Sequence, residues 1–113
     1  MPIQNWSEDV TIAELQDDPV LTDDLRALQE QLRENDEVDV VLDFSNVSFL
    51  NSSNIAKLLK LRKMLTVNRH RKLKLCAINS NVWSVFLITG LDKLFDFADS
   101  VASALASIQI END

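Results

Sequence analysis

The fold of this chain is decided by residues 40–55, VVLDFSNVSFLNSSNI. The stretch begins as an apolar strand, passes through a short polar turn and reaches a helix start at Ser52 and Ser53. A continuous apolar run of this kind is typical of a strand that is buried on both faces. The first N–H groups of a helix have no partner within the helix, so an oxygen acceptor or an anion is favoured there. Either serine could therefore cap the helix, or one of them could carry a phosphate that the same N–H groups stabilise.

The rest of the chain predicts strands and helices in alternation. Apolar periodicity predicts strands at residues 10–15, 38–44, 73–78 and 94–97, and helices from about 22 to 33, 52 to 67, 82 to 89 and 101 to 108. Residues 1–8 fit an additional edge strand, to which Ile3 and Trp6 contribute the apolar side chains. The last helix is expected to be capped by Asp99 or Ser100.

This order of elements predicts an α/β fold in a single domain that spans residues 1–113. We expect a four- to five-stranded, mixed but mainly parallel sheet, with about four helices packed mostly on one face. The one glycine, Gly90, suits a left-handed C-terminal cap of the third helix. A single glycine cannot form the glycine-rich phosphate loops of Rossmann or P-loop proteins, so these two nucleotide-binding folds are excluded.

The composition narrows the class of protein. A chain of 113 residues, 46% of them hydrophobic, can build one core without disulfides. Cys76 is the only cysteine, so we expect no internal disulfide and no cysteine-built metal site. The first residues, MPIQNW, lack the regions of a secretory signal, and no uncharged apolar run approaches the ~18 residues that span a bilayer. We expect a cytoplasmic protein with no membrane insertion, no metal and no cofactor.

The charges are distributed unevenly. The net charge of −7 argues against a general nucleic-acid binder. No Asp or Glu occurs between Phe44 and Leu91, and this window holds Lys57, Lys60, Arg62, Lys63, Arg69, Arg71, Lys72 and Lys74. The segregation fits two interpretations, namely helix faces that are simply solvated, or a polarised surface that steers a charged partner.

Two separated motifs resemble the STAS domain, the fold of bacterial anti-sigma factor antagonists. The first is residues 42–55, LDFSNVSFLNSSNI, which is similar to the family's apolar strand, its D-x-S turn and its F-hydrophobic-D-S-S-G helix start. The second is residues 85–95, VFLITGLDKLF, which is similar to F-x-x-T-G-L-x-x-L-F. Residues 100–108 resemble the closing A-L helix of the family, and the whole resemblance covers about residues 9–110.

The resemblance implies a phosphorylation-controlled protein switch that is not an enzyme. In that family a serine at the start of the second helix is phosphorylated by a partner that is both an anti-sigma factor and a serine kinase of the histidine-kinase-like ATPase type. The unmodified antagonist captures this partner and frees the sigma factor; a serine phosphatase is a further candidate partner, and direct contact with nucleic acid is not expected. Carried to this chain, Ser52 falls on the phosphorylated position, with Ser53 as the less favoured acceptor. The expected partner-binding residues are Asn51, Ser52, Ser53, Asn54, Lys57 and Trp83.

Two positions depart from the family pattern. Asn51 stands where the family usually has Asp, and Asn54 where it usually has Gly. Loss of the carboxylate either eases the accumulation of phosphate charge at Ser52 or removes a group that the kinase recognises. The two departures are also compatible with an alternative function. The protein would then be a non-phosphorylated STAS subunit of an assembly such as a lipid-transport ABC complex, in which the same helix start is a fixed docking surface.

Other candidate residues have structural interpretations. Asp43 ends the buried strand and is expected to bond nearby N–H groups. His70 lies in a basic turn without a second metal ligand nearby, and Cys76 is expected to be a small core residue. Trp83 either packs in the core or a groove, or contacts a partner. No spacing of Ser, His and Asp indicates a catalytic site, which also disfavours an enzyme.

Overall fold

The computed structural model describes residues 3–7, 9–35 and 37–112 of the chain. Strands and helices alternate along these residues as the sequence predicts. The strands are β1 (Ile3–Ser7), β2 (Val10–Gln16), β3 (Asp39–Asn46), β4 (Leu73–Cys76) and β5 (Asp96–Ala98). The α-helices are α1 (Val20–Glu34), α2 (Ser52–Arg62), α3 (Ser80–Thr89) and α4 (Val101–Asn112). A π-helix (Lys63–Asn68) continues α2, and a 3-10 helix (Leu91–Lys93) follows α3.

The five strands lie in one sheet in chain order, β1-β2-β3-β4-β5. β1 pairs antiparallel with β2, while β2, β3, β4 and β5 are parallel to their neighbours. Three successive crossovers therefore step across the sheet in the same direction. Right-handed crossovers of that kind place their helices on one face. The mixed, mainly parallel sheet of the sequence prediction is confirmed.

The two faces of the sheet bury two separate cores. The larger core packs the buried leucines of α1 and α2, with Val82 and Phe86 of α3, against the face that holds Leu42 and Phe44. On the other face, Val41 and its neighbours pack against Ala104 and Ile108 of α4. Alternate residues of β3 thus enter opposite cores, which explains why its consecutive residues 40–42 are all apolar.

The second helix ends earlier than the apolar pattern predicts. A continuous helix to about residue 67 was expected, but α2 gives way to the π-helix at Lys63. At this junction the Thr66 hydroxyl donates to the carbonyl of Arg62 at 2.6 Å. A threonine that bonds the carbonyl four residues back perturbs α-helical geometry, and apolar spacing cannot register this effect.

The start of β5 also differs from the prediction. A strand over 94–97 was expected, whereas β5 is Asp96–Ala98. The 3-10 helix leaves Leu94 exposed and turns Phe95 into the core, where its ring lies 5.7 Å from that of Phe86.

Local hydrogen bonds and backbone conformation define the ends of α3 and α4, and the predicted C-terminal cap at Gly90 is confirmed. Asn79 caps α3, because its side-chain oxygen accepts the N–H of Val82 at 2.9 Å. Gly90 ends α3 with φ +75°, in the left-handed region. Of the two candidates for α4, Ser100 is the cap: its hydroxyl accepts the N–H of Ser103 at 3.1 Å. The predicted edge strand is present as β1, while the side chain of Trp6 lies outside the described part of the structure.

A buried lysine attaches the last helix to the sheet. Lys74 of β4 is 5% exposed, and its Nζ lies 2.9 Å from Glu111 of α4 and 3.6 Å from Asp96 of β5. The hydrogen bond from Lys74 lowers the pKa of Glu111. None of the helices within the described residues is long and apolar enough to cross a membrane.

Ala77, directly after β4, adopts φ +58°. This left-handed conformation is unfavourable for a residue with a Cβ by about 1–2 kcal/mol, but not for glycine. We therefore expect Ala77→Gly to raise the free energy of unfolding by up to about 1 kcal/mol, measured by urea denaturation. Ala106→Gly, at an exposed position within α4, is the matched control and should lower it by about 1 kcal/mol. Equal destabilisation by both changes would contradict strain at Ala77.

Candidate functional site

The first turn of α2 is capped by asparagine. The side-chain oxygen of Asn51 accepts the N–H of Asn54 at 2.8 Å, and the side-chain oxygen of Asn54 accepts the N–H of Asn51 at 3.1 Å. This reciprocal pair is a capping box. The expectation that Ser52 or Ser53 caps the helix is therefore wrong. Both serines already belong to the helix, whereas a cap must precede it.

Asparagine capping leaves the two serines at the surface. Ser52 is the first residue of α2 and is exposed, and its hydroxyl makes no hydrogen bond to any described residue. Ser53 is also exposed, and its hydroxyl accepts a hydrogen bond from Lys57 Nζ at 3.2 Å. Within the described part of the chain, the hydroxyl of Ser52 is thus free, while that of Ser53 is engaged by a cation.

A carboxylate from a different part of the chain organises the same helix start. Asp18 precedes α1, and its Oδ2 accepts from Nδ2 of Asn51 at 2.8 Å and from Nδ2 of Asn54 at 3.1 Å. Its Oδ1 accepts from the N–H of Thr22 at 2.8 Å and from the Thr22 hydroxyl at 2.7 Å. We call Asp18, Thr22, Asn51 and Asn54 the Asp18 network. It joins the first turns of α1 and α2.

The donors of the Asp18 network keep its carboxylate ionised. The hydrogen bond from the Thr22 hydroxyl is the largest cause that lowers the pKa of Asp18, and the Thr22 N–H and the amides of Asn54 and Asn51 lower it further. Asn54 is only 1% exposed, so its side chain points into the fold. The amide that replaces the family's usual glycine is therefore a structural member of the network.

Asp18 is absent from the site residues that the sequence predicts. Nothing local in the sequence connects residues 17–19 with a helix start more than thirty residues later. The topology supplies the connection. β2 and β3 are parallel neighbours, so their carboxyl ends meet at one edge of the sheet. Polar residues that directly follow two adjacent parallel strands are the signal that could have indicated the contact.

Two polar contacts hold the loop between β3 and α2, and a third lies at the end of β3. The N–H of Ser48 donates to Asp17 at 2.7 Å, and this bond is the main cause that lowers the pKa of Asp17. The side chain of Asn79 donates to the carbonyl of Val47 at 2.8 Å. Asp43 accepts the N–H of Ser45 at 2.9 Å, which confirms its structural interpretation. These bonds fix the loop that presents Ser52.

Two aromatic side chains are exposed in the segments around this loop. Phe49, two residues before the cap, is 55% exposed, and Trp83 of α3 is 37% exposed. The Trp83 ring lies 4.9 Å from Phe97 in an edge-on contact, beside a cavity of about 280 Å³ that Ala77 and Ile78 also line. Trp83 therefore combines groove packing with exposure, and its contact with a partner stays a prediction, as does that of Lys57.

The site contains little that indicates catalysis. Cys76 is buried, as predicted, and burial raises the pKa of its thiol to about 12. His70 is exposed. No group of three or more His, Cys, Asp and Glu side chains suited to a metal ion occurs in the described part of the chain.

Comparison with known families identifies the domain. The model of the STAS domain family matches residues 9–104. The chain belongs to the STAS domain family. No curated protein sequence matches it.

Solved structures share the fold at low sequence identity. A STAS domain protein described as an anti-sigma-factor antagonist, from Planctomyces limnophilus, is 16% identical, with a TM-score of 0.82 over 96% of this chain and 97% of that one. A variant of Moorella thermoacetica RsbS, with a serine replaced by glutamate, is 17% identical, with a TM-score of 0.79 over 100% of both chains. The phosphorylated form of the Bacillus cell fate determinant SpoIIAA is 17% identical, with a TM-score of 0.71 over 95% of this chain and 97% of that one.

The hydrogen bond between Asn51 and Asp18 can be tested by exchanging the two side chains. Asn51→Asp should still cap α2, but it places two carboxylates in contact and removes a donor. We expect a loss of about 1–2 kcal/mol in the free energy of unfolding at pH 7. The double change Asn51→Asp with Asp18→Asn restores one donor and one acceptor and should recover most of the loss in urea denaturation. Additive destabilisation by the two single changes would contradict direct coupling.

The lowered pKa of Asp18 predicts a pH dependence. Its folded-state pKa lies below the ordinary value of 3.8, so its stabilising effect is fully present above that value and is lost as the pH falls through the lowered pKa. The stability difference between the native protein and Asp18→Asn should be largest near neutral pH and shrink in acid below about pH 4. Thermal melts across this range measure the difference, and a constant difference would contradict the role of ionised Asp18.

Proposed function

We propose that this protein is an anti-sigma factor antagonist that phosphorylation of Ser52 switches off. Unmodified, it captures an anti-sigma factor that is also a serine kinase of the histidine-kinase-like ATPase type. Phosphorylated, it releases that partner. The observation that supports this proposal best is the exposed hydroxyl of Ser52 on the first residue of α2, unbonded to any residue that the structure describes.

The free protein can accept a phosphate at this position. The N–H groups in the first turn of a helix have no partner within the helix. Here, among the described residues, the side chain of Asn51 accepts only the backbone N–H of Asn54. The N–H groups of Ser52 and Ser53 remain for phosphate oxygens, and the helix dipole favours negative charge at this end. Four donors already surround the nearby charge of Asp18, which limits its repulsion of the phosphate.

The same phosphate is unfavourable in a complex. Aromatic side chains are enriched in the desolvated centres of protein interfaces, and Phe49, three residues before Ser52, and Trp83 of α3 are both exposed. A phosphate adds about −1.5 to −2 charge. Burying that charge without a partner cation costs several kcal/mol, roughly, which changes affinity by orders of magnitude.

The structural neighbours support a switch without a change of fold. SpoIIAA in its phosphorylated form matches the described fold of this chain, and so does RsbS with glutamate in place of serine. In our proposal, phosphorylation therefore changes the surface at Ser52 and does not change the fold.

The Asp18 network favours one alternative function. Asn51 and Asn54, the two residues that depart from the family pattern, both donate to Asp18, and these bonds hold the start of α2 in place. A braced helix start also suits a fixed docking surface. The second candidate is therefore a STAS subunit that is not phosphorylated, as in a lipid-transport ABC assembly.

Charge at Ser52 provides the test. Immobilised native protein, Ser52→Ala and Ser52→Asp are incubated with extract of the source organism, and retained proteins are identified by mass spectrometry. Native protein and Ser52→Ala should retain the same ATP-binding kinase, and Ser52→Asp should bind it at least about tenfold more weakly, because the added charge is desolvated.

Phosphosite mapping after incubation with the retained kinase and ATP should identify Ser52. Ser53→Asp is the matched control, since it adds the same charge one residue further along the helix and should weaken binding less. Modification at Ser53 alone would reassign the switch. Equal binding by native protein and Ser52→Asp, without phosphate on either serine, would favour the fixed subunit.

A further inference from the structure

A second surface lies at the far end of α2 from Ser52. An open groove of about 420 Å³ runs between α1 and the π-helix. Lys63 lies eleven residues after Ser52, which is roughly 17 Å along a helix axis. We call this surface the basic groove, and its lining residues are Gln29, Lys60, Lys63, Met64, Asn68 and Arg69.

The lysines of the basic groove differ from most other cations of the protein in having no partner among the described residues. Salt bridges engage five basic side chains elsewhere, those of Arg26, Arg33, Arg71, Lys72 and Lys74. The amines of Lys60 and Lys63 make no ion pair or hydrogen bond with any residue that the structure describes. The groove lining contains no carboxylate, so these two charges stay available to a ligand.

Arg69 adds a third cation in a fixed position. One guanidinium N–H donates to the carbonyl of Leu32 at 2.7 Å, at the C-terminal end of α1. That bond satisfies one of the last carbonyls of α1 and anchors the arginine in the groove wall. A guanidinium has five N–H donors in a fixed plane, so others remain for a carboxylate.

The backbone of the groove wall is unusual. Lys63, Met64 and Asn68 belong to the π-helix. π-Helical turns are rare and occur frequently at functional sites. An uncommon backbone geometry and an unpaired set of cations thus coincide at one groove, and each is a separate observation.

We propose that the basic groove binds an acidic peptide segment of a partner protein. The cations supply charge complementarity, and the half-buried side chain of Met64 supplies apolar contact. The rest of the protein disfavours a long polyanion such as nucleic acid. The net charge is −7, and α1 exposes Glu30 and Glu34 near the groove. A short acidic segment can occupy the groove without lying along those carboxylates.

Fluorescence anisotropy with a fluorescein-labelled octaglutamate peptide tests the proposal on the whole protein. The native protein should bind this peptide and should not bind labelled octaglutamine. Its affinity for octaglutamate should fall as salt rises from about 50 to 300 mM, because added salt shortens the Debye length and screens the attraction. Lys60→Glu with Lys63→Glu should weaken binding at least about tenfold, since attraction becomes repulsion at two positions.

Three control variants test whether the peptide binds in the basic groove. Lys93→Glu makes the same charge change at an exposed lysine outside the groove and should alter affinity less than about twofold. Lys60→Gln with Lys63→Gln removes charge without adding repulsion, and it should weaken binding while circular dichroism reports an unchanged fold. Ser52→Asp should bind octaglutamate like the native protein, so failure of the switch proposal and failure of this one are distinguishable.

Two results would overturn the proposal. The first is an equal loss of octaglutamate affinity in Lys93→Glu and in the double change at Lys60 and Lys63. Binding would then depend on the net charge of the protein and not on the basic groove. The second is tighter, groove-dependent binding of an eight-nucleotide oligothymidylate, which would assign the surface to nucleic acid instead.

Discussion

The start of α2 depends on one carboxylate that accepts four hydrogen bonds. Asp18 stands before α1, yet half of its bonds come from the two asparagines in the first turn of α2. Because the remaining bonds come from Thr22, the carboxylate holds two helix starts together across the edge of the sheet. The position of Ser52 is therefore set by contacts between distant parts of the chain and not by its own side chain.

Under the proposed function, this arrangement separates the structural role from the regulatory role that a capping serine would have to combine. If Ser52 were the cap, its hydroxyl would be engaged by the backbone, and modification would disturb the helix start. Here Asn51 caps the helix and donates to Asp18, so the hydroxyl of Ser52 is not needed to cap the helix. A phosphate can then alter the surface while the fold beneath it is unchanged, which is the property that a switch based on binding requires.

Local patterns predicted the architecture because it is encoded locally. The apolar run of β3 reflects burial in two cores, and Gly90 takes the left-handed conformation that its place after an apolar helix indicates. The motif resemblance identified the family. A serine cap was considered because two serines and an asparagine are adjacent, whereas the reciprocal bonds between Asn51 and Asn54 identify Asn51 as the cap. The π-helix was not predicted because its buried residue, Leu65, lies four residues after Leu61, an interval that is also typical of an α-helix.

The chemical state of Cys76 has a consequence for how this domain can be controlled. Its side chain is fully buried in the core under α4, and burial raises the pKa of the thiol to about 12. Oxidants and disulfide exchange react with the thiolate, which is almost absent at neutral pH for such a group. As the chain has no other cysteine, glutathione and protein disulfides have no reactive thiol to modify while the domain stays folded. Reversible covalent control through a cysteine thiol is therefore disfavoured in the folded protein.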